Sequence, residues 1–124
     1  MFLSRKGGLS YVARADVATY DFDTTSLTED GAWHTLDLSA IVPAGAKAVV
    51  LRLGASRSLA GQYFRVAPLG YTQPCNQANV ATQVANVINE QTTIMPMNAA
   101  RTLSYWATSG TWTAIRVCVL GWWI

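Results

Sequence analysis

The amino-acid sequence predicts an all-β protein: a single antiparallel β-sandwich, jelly-roll-like, of about eight strands. Apolar and polar residues alternate over short runs, turn residues separate these runs at regular spacing, and no segment has a convincing helical period. Short, evenly spaced strands are typical of sandwiches and jelly rolls. A chain of 124 residues suits one domain with its own hydrophobic core.

The first third of the chain carries the weakest strand signals. We divide the chain into an N-terminal arm, residues 1–15, and a sandwich domain, residues 16–124. The arm has a possible short strand at residues 9–13, and residues 16–22 alternate loosely, as an edge strand does. After a polar turn, residues 33–38 alternate clearly, which predicts a half-buried strand.

The remaining strands follow the same alternation between turn signals. We predict them at residues 47–53, 63–67, 92–95, 103–108 and 111–124. Residues 79–89 are ambiguous, because their apolar positions fit both a helical and a strand period. Their β-branched, Asn and Gln residues favour a strand.

The last predicted strand is apolar on both faces. The odd positions carry Ile115, Val117, Val119 and Trp123, and the even positions Trp112, Ala114, Cys118, Leu120 and Trp122. Both faces should therefore be covered, either by a loop or the arm of the same chain or by another subunit. We favour a subunit interface, because aromatic residues and Arg dominate buried interfaces. The predicted interface residues are Trp112, Arg116, Leu120, Trp122, Trp123, Ile124, Met1, Phe2 and Leu3.

The composition points to partners other than nucleic acid or membrane. Hydrophobic residues make up 51% of the chain and charged residues only 13%, which indicates either a neutral polar surface or one partly buried by partners. The net charge is +2 with scattered basic residues, so a nucleic-acid footprint is missing. No apolar run reaches the length of a transmembrane helix.

Catalytic and metal-binding patterns are missing from the sequence, so we expect no enzyme and no cofactor. His34 is the single histidine and lacks a recognisable nucleophile partner. Asp21 and Asp23 begin like a calcium loop, but Ser26 and Ala32 occupy positions where that loop needs Gly and Glu. The two cysteines lack metal-type spacing, and we predict two free thiols with Cys118 buried.

A set of aromatic residues offers an alternative function. They could form a flat platform for sugar rings, although core aromatics give the same sequence signal. The candidate platform residues are Trp33, Tyr63, Tyr71, Tyr105 and Trp106.

Three stretches resemble segments of small virion-associated proteins of tailed bacteriophages and prophages. They are residues 30–52 (DGAWHTLDLSAIVPAGAKAVVLR), 83–88 (QVANVI) and 115–124 (IRVCVLGWWI). These relatives include head-decoration-like and fibre- or spike-like proteins. The resemblance implies a virion β-sandwich, often trimeric, and transfers no catalytic residues.

These observations together predict a structural protein located in the virion. We expect a capsid decoration or cement protein that binds the assembled head through itself, as a homotrimer, and through the major capsid protein or another virion protein. The alternative is a glycan-binding module, receptor-binding or lectin-like, of a phage tail fibre or spike.

Overall fold

The computed structural model describes residues 8–124, and within them it confirms the predicted all-β sandwich. Nine strands are present in the described part of the chain. They are β1 (Tyr11–Ala13), β2 (Phe22–Asp23), β3 (His34–Asp37), β4 (Ala48–Ser56), β5 (Tyr63–Pro68), β6 (Ala78–Ala81), β7 (Asn89–Pro96), β8 (Thr102–Ala107) and β9 (Ala114–Trp123). One turn of 3-10 helix, Pro74–Asn76, precedes β6.

The strands form two antiparallel sheets. Sheet A has the order β1-β9-β4-β7, with β2 also paired to β9, and sheet B has the order β3-β8-β5-β6. The strand pairing is nested: the innermost pair is β5–β6, followed outward by β4–β7, β3–β8 and β2–β9. The chain thus forms one long hairpin that is wrapped into two sheets. This nesting is the winding of a jelly roll, with β1 added beside β2 along the same edge of β9.

The hydrophobic core lies between the two sheets. Alternate residues of the longest strands point inward and are almost completely buried: Val49, Leu51, Leu53, Phe64, Val66, Leu103, Ile115, Val117 and Val119. Burying one such side chain contributes about 1.5–3 kcal/mol. Alternate residues are buried because successive side chains of a strand point to opposite faces of its sheet.

A β-bulge at Leu120 reverses the alternation near the end of β9. Val119 pairs with Leu51, but Gly121 pairs with Val50, so Leu120 has no partner on β4. An extra residue moves every following side chain to the opposite face of the sheet. The prediction that Trp123 shares a face with Val119 is therefore wrong.

Two predicted strands are shorter than expected. Of residues 79–89, only the beginning belongs to β6, and the following segment is a loop in which Asn86 has a φ of +63°. The buried Thr82 ends the strand, since its hydroxyl donates to the Leu59 carbonyl at 2.8 Å and accepts from the Gln62 N–H at 2.9 Å. Of residues 16–22, only Phe22 lies in a strand.

Candidate functional site

Two tryptophans of the predicted interface contribute to the domain's own packing, Trp112 as a buried residue and Trp122 as a half-buried one. Trp112 is only 4% exposed; its indole N–H donates to the Thr108 carbonyl at 2.9 Å, and the Arg57 guanidinium lies 5.4 Å from its ring centre. Trp122 stands opposite the buried Val49 and packs against the core. Trp112 is therefore corrected to a core residue, and Trp122 serves mainly the domain's own packing.

The middle of β9 is covered by the chain itself. The Tyr20 ring lies 5.1 Å from the Arg116 guanidinium, and Cys118 is only 8% exposed beside Val17 and Tyr20. The segment between β1 and β2 thus provides part of the cover that two apolar faces require. Arg116 is correspondingly half-buried, which limits its use in a subunit interface.

The end of sheet A carries an apolar surface that residues 8–124 leave uncovered, which we call the apolar face. Outward side chains form two neighbouring rows that each cross the four strands β1, β9, β4 and β7. The first row is Tyr11, Trp123, Ala48 and Pro96, and the second is Ala13, Gly121, Val50 and Ile94. By strand geometry the two rows span roughly 14 Å across the strands and 7 Å along them.

Aromatic packing and a polar border define the apolar face. The Tyr11 and Trp123 ring centres are 5.1 Å apart, while Ile94 at the opposite side of the sheet is 59% exposed. Along the strands the face ends at Arg52, whose guanidinium contacts the Glu90 carboxylate at 3.2 Å. The apolar face therefore has the apolar centre and charged rim that are typical of protein–protein interfaces.

The other predicted interface residues lie in different situations. Leu120 and Ile124 are exposed at the same end of the sandwich as the apolar face. Met1, Phe2 and Leu3 lie outside the described residues. The sequence did not single out Ile94 or Val50, whose strand positions next to Trp123 become apparent only from the register of sheet A.

The outer side of sheet B carries a second surface, which we call the aromatic groove. Arg65 lies at its centre, with its guanidinium carbon 4.4 Å from the Trp106 ring and 4.9 Å from the Tyr63 ring. Its Nε donates to the Asn79 side-chain oxygen at 2.9 Å. The register of β3 and β8, continued by one residue, places Trp33 opposite Trp106.

The aromatic groove falls within the size range of small-ligand sites, about 300–1,000 Å³. Its volume is about 370 Å³. The lining residues are Trp33, Tyr63, Arg65, Thr72, Pro74, Gln77 and Asn79. Aromatic faces, amide groups and one cation thus converge on an open, shallow surface without an acidic residue among those that line it.

The structure brings together three of the five predicted platform aromatics. Trp33, Tyr63 and Trp106 surround Arg65, whereas Tyr71 is exposed elsewhere, beside Pro68 and Met97. Tyr105 is 4% exposed within the core, and its hydroxyl accepts from the Thr28 N–H at 2.9 Å. Tyr105 is therefore corrected to a core residue, because it points inward from β8.

Sequence reasoning missed Arg65 and Asn79. A signal was present, since Arg65 is two residues after Tyr63 and so shares its outward face. Asn79 could not be found in this way, because only the β5–β6 register places it opposite Arg65.

His34 forms a turn contact. Its Nε2 lies 2.8 Å from the Asp30 carboxylate, which also accepts from the Ala32 N–H at 3.0 Å. The His34 contact lowers the pKa of Asp30. These bonds close the turn that leads into β3. Within residues 8–124, no group of three His, Cys, Asp or Glu side chains is arranged to hold a metal ion.

Comparisons with known proteins leave the family open. No protein-family model matches the chain, and no curated protein matches its sequence significantly. In the described part of the chain, no helix has the length and apolar character needed to span a membrane.

Proposed function

We propose that the protein is a structural component of a phage particle, a decoration protein that binds the assembled head. It would stabilise the head through self-association, as a trimer, and through contacts with the major capsid protein. The observation that supports this best is the apolar face, a contiguous apolar surface on which Tyr11 and Ile94 are exposed. The phage context comes from the sequence resemblance in residues 30–52, 83–88 and 115–124.

The size of the apolar face fits the centre of an interface. A stable interface buries about 800 Å² on each partner, with an apolar core and a polar rim. The two rows cover only a fraction of that area, so the surrounding polar residues of sheet A would complete the contact. The Arg52–Glu90 pair lies where such a rim is expected.

Mass action explains how such a protein would act. A protein that binds only the assembled shell stabilises it by its binding free energy. Trimers place several binding surfaces in one molecule, and linked binding events raise the total affinity without new contacts. No chemical step is required for this role.

Light scattering coupled to size-exclusion chromatography tests the self-association. We expect an oligomer for the unmodified protein at micromolar concentration and a shift towards monomer for Ile94→Lys. Leu59→Lys is the matched control, because Leu59 is a similarly exposed aliphatic residue, 55% against 59%, outside the apolar face. A monomeric unmodified protein, or equal behaviour of the two variants, would contradict the role of the apolar face.

Electron microscopy of purified particles tests the location. Density for the sandwich on the head surface supports the decoration role. Density confined to the tail or baseplate contradicts it and identifies the protein as a tail component.

A second candidate function is glycan binding, as in a receptor-binding module of a tail fibre or spike. The aromatic groove favours it, because Trp33, Tyr63 and Asn79 combine flat apolar surfaces with hydrogen-bonding groups. Such a combination is typical of small-ligand sites. A glycan array tests this function, and binding that is lost in Trp33→Ala is the expected result. An array without hits would contradict it.

A further inference from the structure

We infer that the aromatic groove binds acidic sugars, pyranose rings that carry a carboxylate, with Arg65 as the residue that recognises the acid group. This inference rests on the second candidate function, glycan binding, and specifies its ligand class. Uronic acids and sialic acids share the chemistry that the groove would recognise.

The guanidinium of Arg65 is held in a fixed orientation. Its carbon lies over the Tyr63 and Trp106 rings, and its Nε donates to the Asn79 side-chain oxygen. Among residues 8–124, neither of its two Nη atoms has a protein acceptor. A planar guanidinium with both terminal nitrogens unengaged matches the two oxygens of a carboxylate. Because stacking already restricts Arg65, little side-chain entropy remains to be lost on binding.

The surroundings of Arg65 favour an anionic ligand over a neutral one. None of the described residues that line the groove is acidic, so the positive charge of Arg65 is not neutralised within it. The side chains of Thr72, Gln77 and Asn79 supply donors and acceptors for sugar hydroxyls. Trp33 and Tyr63 offer ring faces on which a pyranose can lie.

Charge distribution distinguishes this ligand from a nucleic acid, which also uses aromatic residues and Arg. A single-stranded nucleic-acid site needs a positively charged groove that follows the backbone. Arg65 is the one cation among the described residues that line the groove, and the chain's net charge is only +2. One fixed cation suits one carboxylate.

Isothermal titration with matched ligands tests the inference. The acidic probes are trigalacturonate and sialyllactose, and the neutral probes are the methyl ester of trigalacturonate and lactose. We expect the acidic probes to bind at least about tenfold more tightly than their neutral counterparts, and Arg65→Gln to abolish that difference. Arg65→Lys, which keeps the charge without the planar fork, should bind the acidic probes more weakly than the unmodified protein. If only one acidic probe binds, it identifies which of the two acid classes is the ligand.

The control is Lys47→Gln, which removes an exposed cation outside the aromatic groove and should leave sugar binding unchanged. If Arg65→Gln fails to fold, Trp33→Ala provides the loss-of-binding test, and the charge preference of the unmodified protein still decides. Equal affinity for acidic and neutral probes overturns the acid preference while glycan binding stands. No binding of any sugar overturns both, and binding of a single-stranded oligonucleotide that depends on Arg65 overturns the inference in favour of nucleic acid.

Discussion

Arg14 and Asp21 form an ion pair, and both side chains hydrogen-bond to the backbone of Val119, where a neighbouring strand would otherwise pair with β9. Arg14 Nη1 lies 2.6 Å from the Asp21 carboxylate; the Val119 N–H donates to that carboxylate at 2.8 Å, and Arg14 Nη1 also donates to the Val119 carbonyl at 3.2 Å. The backbone between Arg14 and Asp21 leaves the edge of β9, because β1 ends before Arg14 and β2 begins after Asp21. The two side chains satisfy backbone groups that would otherwise be unpaired.

The Asp21→Ala variant tests whether these side-chain hydrogen bonds to Val119 stabilise the edge of β9. It leaves the Val119 N–H without its acceptor and removes the carboxylate partner of Arg14, whose Nη1 keeps only the Val119 carbonyl. We expect the free energy of unfolding, measured by urea titration, to fall by about 1–3 kcal/mol. Asp16→Ala removes an exposed carboxylate in the same segment and should change stability little. Equal effects of the two variants would contradict the role of the pair.

Gly121 is required for the attachment of β1 to β9. A Cβ atom at this position would overlap the Tyr11 hydroxyl oxygen and lie 2.6 Å from the Val12 carbonyl oxygen. Gly121→Ala should therefore displace β1 and lower stability by about 1–3 kcal/mol. Hydrogen exchange should show loss of protection at the β1–β9 bonds, with the β4–β9 bonds retained. Unchanged protection in β1 would rule out this close packing.

The bulge predicts opposite roles for the last two tryptophans. Trp122→Ala removes a side chain that packs against the core and should lower the free energy of unfolding by about 2–4 kcal/mol. Trp123→Ala removes an outward ring and should lower it by about 1 kcal/mol or less, while weakening self-association. Urea titration and light scattering measure the two effects. A larger stability loss for Trp123→Ala would be inconsistent with the observed register.

The two free thiols should differ in reactivity. Cys75 is exposed, whereas burial of Cys118 raises its thiol pKa and so reduces the reactive thiolate. Titration with a chromogenic disulfide reagent should detect one fast thiol in the native protein and two in denaturant. The Cys75→Ser variant should lose the fast phase. A fast native phase that persists in this variant would show that Cys118 is accessible.

Stability should decrease in acid. The pKa values of Asp23, Asp30 and Asp37 are lowered in the folded protein. The groups that lower these pKa values are the Thr25 hydroxyl, the His34 side chain and the Ser39 backbone N–H. A carboxyl group whose pKa is lower in the folded state stabilises above its unfolded pKa, and this contribution is lost as the pH falls through the folded pKa.

Urea titrations between about pH 5 and about pH 2 measure this loss. The free energy of unfolding should fall over that range, and Asp37→Asn should flatten part of the decrease. Asp16→Asn, at a carboxyl group in the exposed segment between β1 and β2, provides the control. If the free energy of unfolding of Asp37→Asn falls with pH in parallel with that of the unmodified protein, the lowered pKa of Asp37 is not a source of the acid sensitivity.

The aromatic groove was partly predictable from the sequence. Trp33, Tyr63 and Trp106 were identified because aromatic residues next to strand alternation can form a surface. The same signal also selected Tyr105, which points into the core from the same strand as Trp106. Neighbouring residues of a strand face opposite sides of the sheet, so only one of Tyr105 and Trp106 can face outward. Aromatic composition alone does not tell which one.

The sequence by itself determined the all-β class and the approximate positions of most strands. These features follow from local alternation, which needs no knowledge of strand partners. Tertiary structure alone decided which strands pair, where β9 bulges, and that the Arg14–Asp21 pair completes the edge of β9. Most of those outcomes depend on contacts between residues far apart in the sequence, 98 positions for Asp21 and Val119, so no local pattern encodes them. The two candidate surfaces, the apolar face and the aromatic groove, exist only because that register places their residues side by side.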